Sequence, residues 1–255
     1  MASFTMASMT QQEQQTQTLP TAVFWDMDGT LIDSEPYWHA SEVEVARSHG
    51  GQWSEKLGWE FSGSPVIRVA KAICERGVDV PAEQVEQEII AGVARREQEQ
   101  MPWIEGAVEL LEALKKAGVP SVLVTSSPRY IAQAVVEQAP AGAFIGFTCG
   151  DDGLPMKPDP APYLHAAKIV GVEPAQMASC VAIEDTMTGI TSAAASGATT
   201  LAFTGSNPKD TSAGPQFTSF ASYLGVTPQT LGRMCCGVLL ATSLFTSYAT
   251  NRGAA

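Results

Sequence analysis

Residues 21–34 read Thr-Ala-Val-Phe-Trp-Asp-Met-Asp-Gly-Thr-Leu-Ile-Asp-Ser, so an apolar run, Thr21–Trp25, passes directly into Asp26-Met27-Asp28-Gly29-Thr30. The run is four or five residues of mainly apolar side chains, which is typical of a strand buried on both faces. The glycine permits a tight turn. Two carboxylates, one residue apart, are therefore predicted at the end of a buried strand.

Similar short apolar runs recur along the chain and alternate with helical patterns. The other predicted strands are Ser121–Thr125, Ala143–Phe147, Cys180–Ile183 and Thr199–Phe203, and the clearest helices between them are Ala107–Ala117, Pro160–Val170 and Thr188–Ser196. Each of these helical patterns is followed by a glycine, a common helix terminator. Alternating strands and helices predict an α/β fold with a doubly wound, Rossmann-like parallel sheet.

One block departs from this alternation. Residues 34–103 contain no convincing strand and three helical stretches, of which Ala82–Gln100 is the clearest. We therefore expect a helical cap, residues 34–103, inserted into an α/β core made of residues 21–33 and 104–225.

The two ends of the chain differ in character from the rest. Residues 1–20 are polar and rich in Gln and Thr, which predicts a disordered leader. Residues 226–255 are a C-terminal extension of uncertain structure. Its segment Met234–Asn251 carries no charge but many hydroxyls, which favours a docked or frayed helix over a membrane span, with a non-native extension as another interpretation.

Composition narrows the functional classes. The chain has 255 residues and a net charge of −12, which argues against a nucleic-acid partner because phosphate backbones select basic surfaces. Its five cysteines have no metal-binding spacing, so reduced thiols and a cytoplasmic location are expected. No membrane partner is expected, and a monomer is the default.

Residues with catalytic potential follow the predicted strands. Thr125 and Ser126 come at the end of the second, Glu184 and Asp185 end the fourth, and Lys157 precedes a helix. The carboxyl ends of parallel strands form the ligand crevice of such sheets. Converging carboxylates need a cation, and an oxygen-rich site suits Mg²⁺, which predicts a metal between Asp26 and Asp185.

A hard divalent cation, a lysine and a hydroxyl are also what a phosphoryl group requires. One aspartate can attack phosphorus, while a second transfers the proton. These residues therefore predict Mg²⁺-dependent phosphoryl transfer in which one aspartate becomes an aspartyl-phosphate.

The string Asp26–Ser34, together with Thr125, Lys157-Pro158 and Glu184-Asp185, resembles the haloacid dehalogenase superfamily, specifically its β-phosphoglucomutase-like phosphatases, over roughly residues 21–225. The resemblance implies that Asp26 is the nucleophile and Asp28 the general acid/base. It implies Mg²⁺ ligands from Asp26, the Asp28 backbone carbonyl and Asp185, with Glu184 in or beside the coordination sphere. It also implies that Thr125, Lys157 and the Ser126 amide bind the phosphoryl group, and that the helical insert is a mobile cap.

The function that this resemblance implies is Mg²⁺-dependent hydrolysis of a small phosphorylated metabolite, a phosphate monoester of a sugar or polyol, through an aspartyl-phosphate. Two other functions stay open. Phosphomutases of this subgroup carry a cap-hinge histidine where this chain has Trp38, with His39 one residue later, and the departure favours hydrolysis. A non-catalytic binding or regulatory protein of the same fold is the second alternative. Within the cap, Trp38, His39 and the loop Phe61–Arg68 are expected to contact substrate. Arg68 is either a contact for a second anionic group or an ordinary surface arginine.

Overall fold

A seven-stranded sheet forms the centre of the α/β part of the protein. The computed structural model describes residues 19–206, 210–235, 237 and 245–246. The strands are β1 (Val23–Trp25), β2 (Ser121–Val124), β3 (Phe144–Thr148), β4 (Val181–Glu184), β5 (Thr199–Phe203), β6 (Thr218–Phe220) and β7 (Phe245–Thr246). They lie in the order β3-β2-β1-β4-β5-β6-β7, and all neighbours are parallel except β6 and β7, which pair antiparallel.

Helices cover both faces of this sheet. The α-helices are α1 (Glu35–Ser48), α2 (Glu55–Phe61), α3 (Val66–Cys74), α4 (Ala82–Glu99), α5 (Ala107–Lys116), α6 (Arg129–Gln138), α7 (Ala161–Ile169), α8 (Met187–Ala195) and α9 (Pro228–Cys235). Side chains of β1 alternate between two apolar cores, since Val23 and Trp25 pack into one and Phe24 into the other. The predicted doubly wound α/β fold is thereby confirmed.

Helices α1 to α4, residues 35–99, form what we call the helical block. It has its own apolar core, which includes Val45, Val69, Ile73 and Ile89. The sequence predicts three helical stretches here, whereas the structure contains four. Between α2 and α3, Pro65 precedes the first residue of α3 and disfavours a continuous helix.

Part of the expected C-terminal extension packs on the core. Helix α9 places Leu231 and Met234 in the larger core of the sheet. The prediction of a C-terminal helix is wrong at Phe245–Thr246, which form β7. The remainder of that uncharged segment and residues 1–18 of the expected leader lie outside the described residues. Within the described part of the chain, no helix combines the length and apolarity needed to cross a bilayer.

Three of the described cysteines, Cys74, Cys149 and Cys180, are free thiols, and Cys236 lies outside the described residues.

A buried acid lies where the helical block joins the core. Glu97, in the last turn of α4, is fully buried, and neither of its carboxylate oxygens has a hydrogen-bond partner among the described residues. Its backbone carbonyl accepts a hydrogen bond from Gln138 Nε2 of α6 at 3.2 Å, which ties α4 to the core. Burial raises the pKa of Glu97 to about 8, and the charge of Asp28 adds to the rise.

The protein is therefore expected to lose stability as pH rises from about 4.5 to about 8. In this window folded Glu97 keeps its proton while the unfolded chain releases it, so the unfolded state binds fewer protons. Glu97→Gln removes this cost and should raise the free energy of unfolding at pH 8 by about 2 to 4 kcal/mol relative to pH 5. Urea unfolding at both pH values measures it, with exposed Glu99→Gln as the control. Parallel pH profiles for wild type and Glu97→Gln would contradict this prediction.

Candidate active site

The sheet order brings the predicted site residues together. Strand β1 lies between β2 and β4, and Trp25, its last residue, is level with Leu123 and with Ile183. The residues that follow or end these strands, Asp26, Thr125, Glu184 and Asp185, therefore share one edge of the sheet, and all four are buried. This edge is the carboxyl end of the parallel strands, where ligands bind in such folds.

Lys157 lies between two of the carboxylates at this edge. Its Nζ donates hydrogen bonds to Asp26 Oδ1 at 2.7 Å, to Glu184 Oε1 at 2.6 Å and to the Val124 carbonyl at 2.9 Å. The Lys157 side chain is only 7% exposed. Burial lowers the pKa of Lys157, but the carboxylates of Asp26 and Glu184 outweigh this effect and produce a net rise. Lys157 is consequently a permanent cation in an acidic crevice.

Three carboxylates converge beside this lysine. Asp26, Glu184 and Asp185 each offer an oxygen, and these oxygens lie within 4.8 Å of one another. Burial raises the pKa of Glu184 to about 7, and the charge of Asp26 adds to the rise. Glu184 Oε1 accepts hydrogen bonds from Lys157 and from the Tyr163 hydroxyl, whereas buried Oε2 has no partner among the described residues.

This donor set fits a hard cation. Mg²⁺ prefers oxygen ligands, and the three carboxylates carry more negative charge than Lys157 can balance. The buried Glu184 Oε2 is in addition an acceptor that needs a partner.

The backbone at Gly29 lies close to the Asp185 carboxylate. A β-carbon added at Gly29, where φ is +77°, would lie 2.3 Å from Asp185 Oδ2. A side chain there would displace the Asp185 carboxylate.

Asp28 is held by three uncharged donors. Its Oδ1 accepts from Ser34 Oγ at 2.5 Å and from Trp38 Nε1 at 3.3 Å, and its Oδ2 accepts from Ser127 Oγ at 2.9 Å. Ser34 directly precedes α1 and Trp38 lies in the first turn of α1, while Ser127 follows β2. Burial raises the pKa of Asp28. This effect is larger than the opposite effect of the hydrogen bonds from Ser34, Ser127 and Trp38, which lower the pKa, so the net shift is upward.

Hydroxyl groups orient the remaining parts of the site. Thr30 Oγ1 donates to Asp26 Oδ2 at 3.0 Å, and the Thr30 carbonyl accepts from the Tyr223 hydroxyl at 2.8 Å. Thr125 Oγ1 accepts from the Ser127 backbone N–H at 3.0 Å, and Ser126 between them is exposed. The Asp26 carboxylate thus has both oxygens hydrogen-bonded, one to Lys157 and one to Thr30.

The three predicted substrate residues take different positions. Trp38 contacts Asp28, as described above. His39 is 2% exposed, and its Nε2 lies 3.1 Å from Glu35 Oε2 and 3.3 Å from Ser62 Oγ. Arg68 is exposed, with its guanidinium 5.8 Å from the centre of the Phe61 ring. Trp38 therefore lies at the candidate site, whereas His39 contacts Glu35 and Ser62, and Arg68 lies on the surface of the helical block.

Some site residues were missed by sequence reasoning. Thr30 and Ser34 belong to the quoted string, so the sequence offers their hydroxyls. It does not show that Thr30 donates to Asp26 or that Ser34 donates to Asp28. The sequence also offers the Ser127 hydroxyl, next to the predicted pair Thr125-Ser126, but its hydrogen bond to Asp28 was not predicted. Tyr163 lies in α7, and no local pattern marks a tyrosine there as a partner of Glu184.

Comparison with known proteins agrees with this geometry. A family model described as haloacid dehalogenase-like hydrolase matches residues 20–197. The chain belongs to this family. The predicted family and the prediction of an enzyme of the hydrolase class are confirmed.

Relatives within the haloacid dehalogenase-like hydrolases include phosphatases. Hexitol phosphatase A of Escherichia coli (strain K12) is 31% identical over 179 residues, 70% of this chain and 80% of that protein. A phosphoglycolate phosphatase of Pseudomonas savastanoi pv. phaseolicola is 30% identical over 166 residues, 62% of this chain and 61% of that protein. A crystal structure of a HAD hydrolase, family IA, variant 3, from Entamoeba histolytica shares the fold, with a TM-score of 0.71, 24% identity and coverage of 84% of this chain and 99% of that one.

Proposed function

We propose that this protein is an Mg²⁺-dependent phosphatase that hydrolyses a small phosphate monoester, a sugar or polyol phosphate, through an aspartyl-phosphate. The observation that carries the proposal is the position of Lys157 between Asp26 and Glu184, at the edge where Thr125 and Asp185 also lie. Cation, hydroxyl and carboxylates at one point are the components of phosphoryl transfer. The named phosphatases among the relatives support the same reaction.

The metal would be held by the acidic trio. Asp26, Glu184 and Asp185, with the Asp28 backbone carbonyl, would bind Mg²⁺, which when bound neutralises phosphoryl charge and orients the ester. Lys157 adds a second positive charge, in direct contact with Asp26 and Glu184. Thr125 supplies a hydroxyl donor to the phosphoryl oxygens.

Asp26 acts as the nucleophile. Lys157 and Thr30 bind one oxygen each, which orients the carboxylate before substrate arrives. A carboxylate oxygen of Asp26 forms a bond to phosphorus as the bond from phosphorus to the ester oxygen breaks. Water then attacks the same phosphorus, which releases inorganic phosphate and regenerates Asp26.

Asp28 transfers the protons. Its raised pKa favours the protonated acid, which donates to the leaving ester oxygen so that a neutral alcohol departs. The carboxylate so formed accepts a proton from the attacking water, which completes the cycle. Ser34, Ser127 and Trp38 hold it in place for both steps.

The helical block acts as the cap in this proposal. Ser34 and Trp38 connect the start of α1 to Asp28, so a movement of the block changes the surroundings of the acid/base. Trp38 also supports hydrolysis over phosphomutase activity. Its indole N–H only donates, so Trp38 cannot replace the hinge histidine of the mutases as a group that exchanges protons.

Magnesium dependence is the first test. Release of phosphate from p-nitrophenyl phosphate is expected to fall at least about 100-fold when the protein is treated with EDTA and to return on addition of MgCl₂. CaCl₂ at the same concentration is the matched control and should restore less, because Ca²⁺ takes more ligands at longer distances. Equal rates with EDTA and with MgCl₂ would show that the proposed metal chemistry is wrong.

A further inference from the structure

A cleft of about 200 Å³ opens between the helical block and the core. On the helical-block side it is lined by Glu35, Ser62 and Gly63, and on the core side by Thr186, Met187, Thr188, Asp210 and Thr211. Its volume is below the roughly 300 Å³ at which pockets for drug-sized ligands begin. The cleft therefore suits a small ligand group.

On each side the lining includes a residue that is next in sequence to a residue of the candidate active site. Thr186 follows Asp185 of the acidic trio, and Glu35 follows Ser34, whose hydroxyl is bonded to Asp28. An alcohol part that extended from a phosphoryl group at Asp26 past these two residues would enter the cleft. This step, and the inference that follows, rest on the proposed function.

The lining is rich in hydrogen-bond acceptors and carries negative charge. Glu35 is oriented before any ligand binds, because its Oε2 accepts from Ser62 Oγ at 2.8 Å and lies 3.1 Å from His39 Nε2. Asp210 Oδ1 accepts from the Ser212 backbone N–H at 2.8 Å, and hydrogen bonds from Ser212 hold the pKa of Asp210 below its usual value. Asp210 is thus ionised at neutral pH.

Hydroxyl groups complete the lining. Thr188 and Thr211 can both donate and accept, Ser62 can accept because its hydroxyl proton is donated to Glu35, and carboxylates only accept. A polyol matches this arrangement, since each of its hydroxyls can donate to a carboxylate and exchange hydrogen bonds with a threonine or serine. A carboxylate or a second phosphate on the ligand would instead face Glu35 and Asp210 with like charge.

We propose that this cleft binds the alcohol part of the substrate, and that Glu35 and Asp210 select an uncharged, polyhydroxylated leaving group over one with a carboxylate or a second phosphate. The phosphatase relatives include both kinds, a hexitol phosphatase and a phosphoglycolate phosphatase. The acidic cleft favours the first kind for this chain.

Two esters with the same six-carbon skeleton provide the test. Sorbitol 6-phosphate ends in a hydroxymethyl group where 6-phosphogluconate ends in a carboxylate. With MgCl₂ present, kcat/KM for the sorbitol ester is expected to exceed that for 6-phosphogluconate at least about tenfold. Glu35→Gln and Asp210→Asn should each narrow this ratio about threefold or more by raising 6-phosphogluconate turnover. Asp79→Asn, an exposed position in the helical block, is the matched control and should leave the ratio unchanged.

The outcomes separate this inference from the proposed function. One outcome is that p-nitrophenyl phosphate is hydrolysed and that kcat/KM for 6-phosphogluconate equals or exceeds kcat/KM for sorbitol 6-phosphate. This result overturns the inference and leaves the phosphatase proposal standing. The inference is also overturned if neither six-carbon ester is hydrolysed, or if the ratio is unchanged in both variants. Lys209 precedes Asp210 and lies outside the described residues; a selective loss of 6-phosphogluconate turnover in Lys209→Gln would assign anion binding to Lys209 and also overturn the inference. No turnover of any ester overturns both proposals.

Discussion

Replacing Asp26 with asparagine is expected to lower kcat for phosphate release at least about 10³-fold and to leave the fold intact. Asparagine is nearly isosteric with aspartate, and its carbonyl oxygen can still accept a hydrogen bond from Lys157. It has no carboxylate to attack phosphorus, so no aspartyl-phosphate forms. Initial rates with MgCl₂ measure the loss, and circular dichroism with urea unfolding checks the fold.

The covalent step has its own measurement. Wild-type protein quenched with acid during turnover of an ester radiolabelled in its phosphoryl group should retain label that hydroxylamine releases, because an acyl phosphate reacts with that nucleophile. Asp26→Asn should retain none. Exposed Asp79→Asn carries the same chemical change elsewhere and should match wild type. Equal labelling of Asp26→Asn and wild type would assign the nucleophile to another residue.

Replacing Lys157 with methionine is expected to lower the free energy of unfolding by about 3 to 5 kcal/mol at pH 7 in EDTA. Methionine keeps most of the apolar stem, but Asp26 and Glu184 lose the cation that both contact in a buried crevice. Lower pH should reduce the deficit, since loss of Lys157 raises the pKa of Glu184 further and protonation of Glu184 relieves the repulsion. Urea unfolding at pH 5 and pH 8 measures the change.

Magnesium gives this variant a second readout. If Mg²⁺ binds among the carboxylates, MgCl₂ should stabilise Lys157→Met more than wild type, because the variant has more uncompensated negative charge. Lys168→Met, on the exposed side of α7, is the control and should change stability by less than about 0.5 kcal/mol. A loss below about 1 kcal/mol for Lys157→Met would show that the Lys157 contacts contribute little to stability.

Much of the fold could be predicted because its signals are local. The five predicted strands all exist, and their apolar runs with glycine-terminated helices between them needed no knowledge of distant residues. Strand β6 and helix α9 were not predicted. Thr-Ser-Phe at 218–220 has no apolar run, and it is a strand because it pairs with β5. Leu231 of α9 is buried because the sheet supplies the surface.

The candidate site was likewise predictable only where its signals are local. Asp26, Asp28, Thr125, Lys157, Glu184 and Asp185 could be named because each follows a strand or precedes a helix of a recognisable pattern. The hydrogen bonds of Ser127 to Asp28 and of Tyr163 to Glu184 could not, because they join segments 99 and 21 residues apart. The proximity of such residues depends on strand order and helix packing.

The amino-acid sequence by itself determined the family, the doubly wound sheet and the identity of the acidic, cationic and hydroxyl groups at the strand ends. Those properties follow from side-chain chemistry and short-range periodicity. Only the tertiary structure decided that Lys157 lies between Asp26 and Glu184, that Trp38 contacts Asp28, and that Glu35 and Asp210 share one cleft. These relations arise from the strand order and from the way the helical block meets the core, and long-range packing decides which side chains meet there.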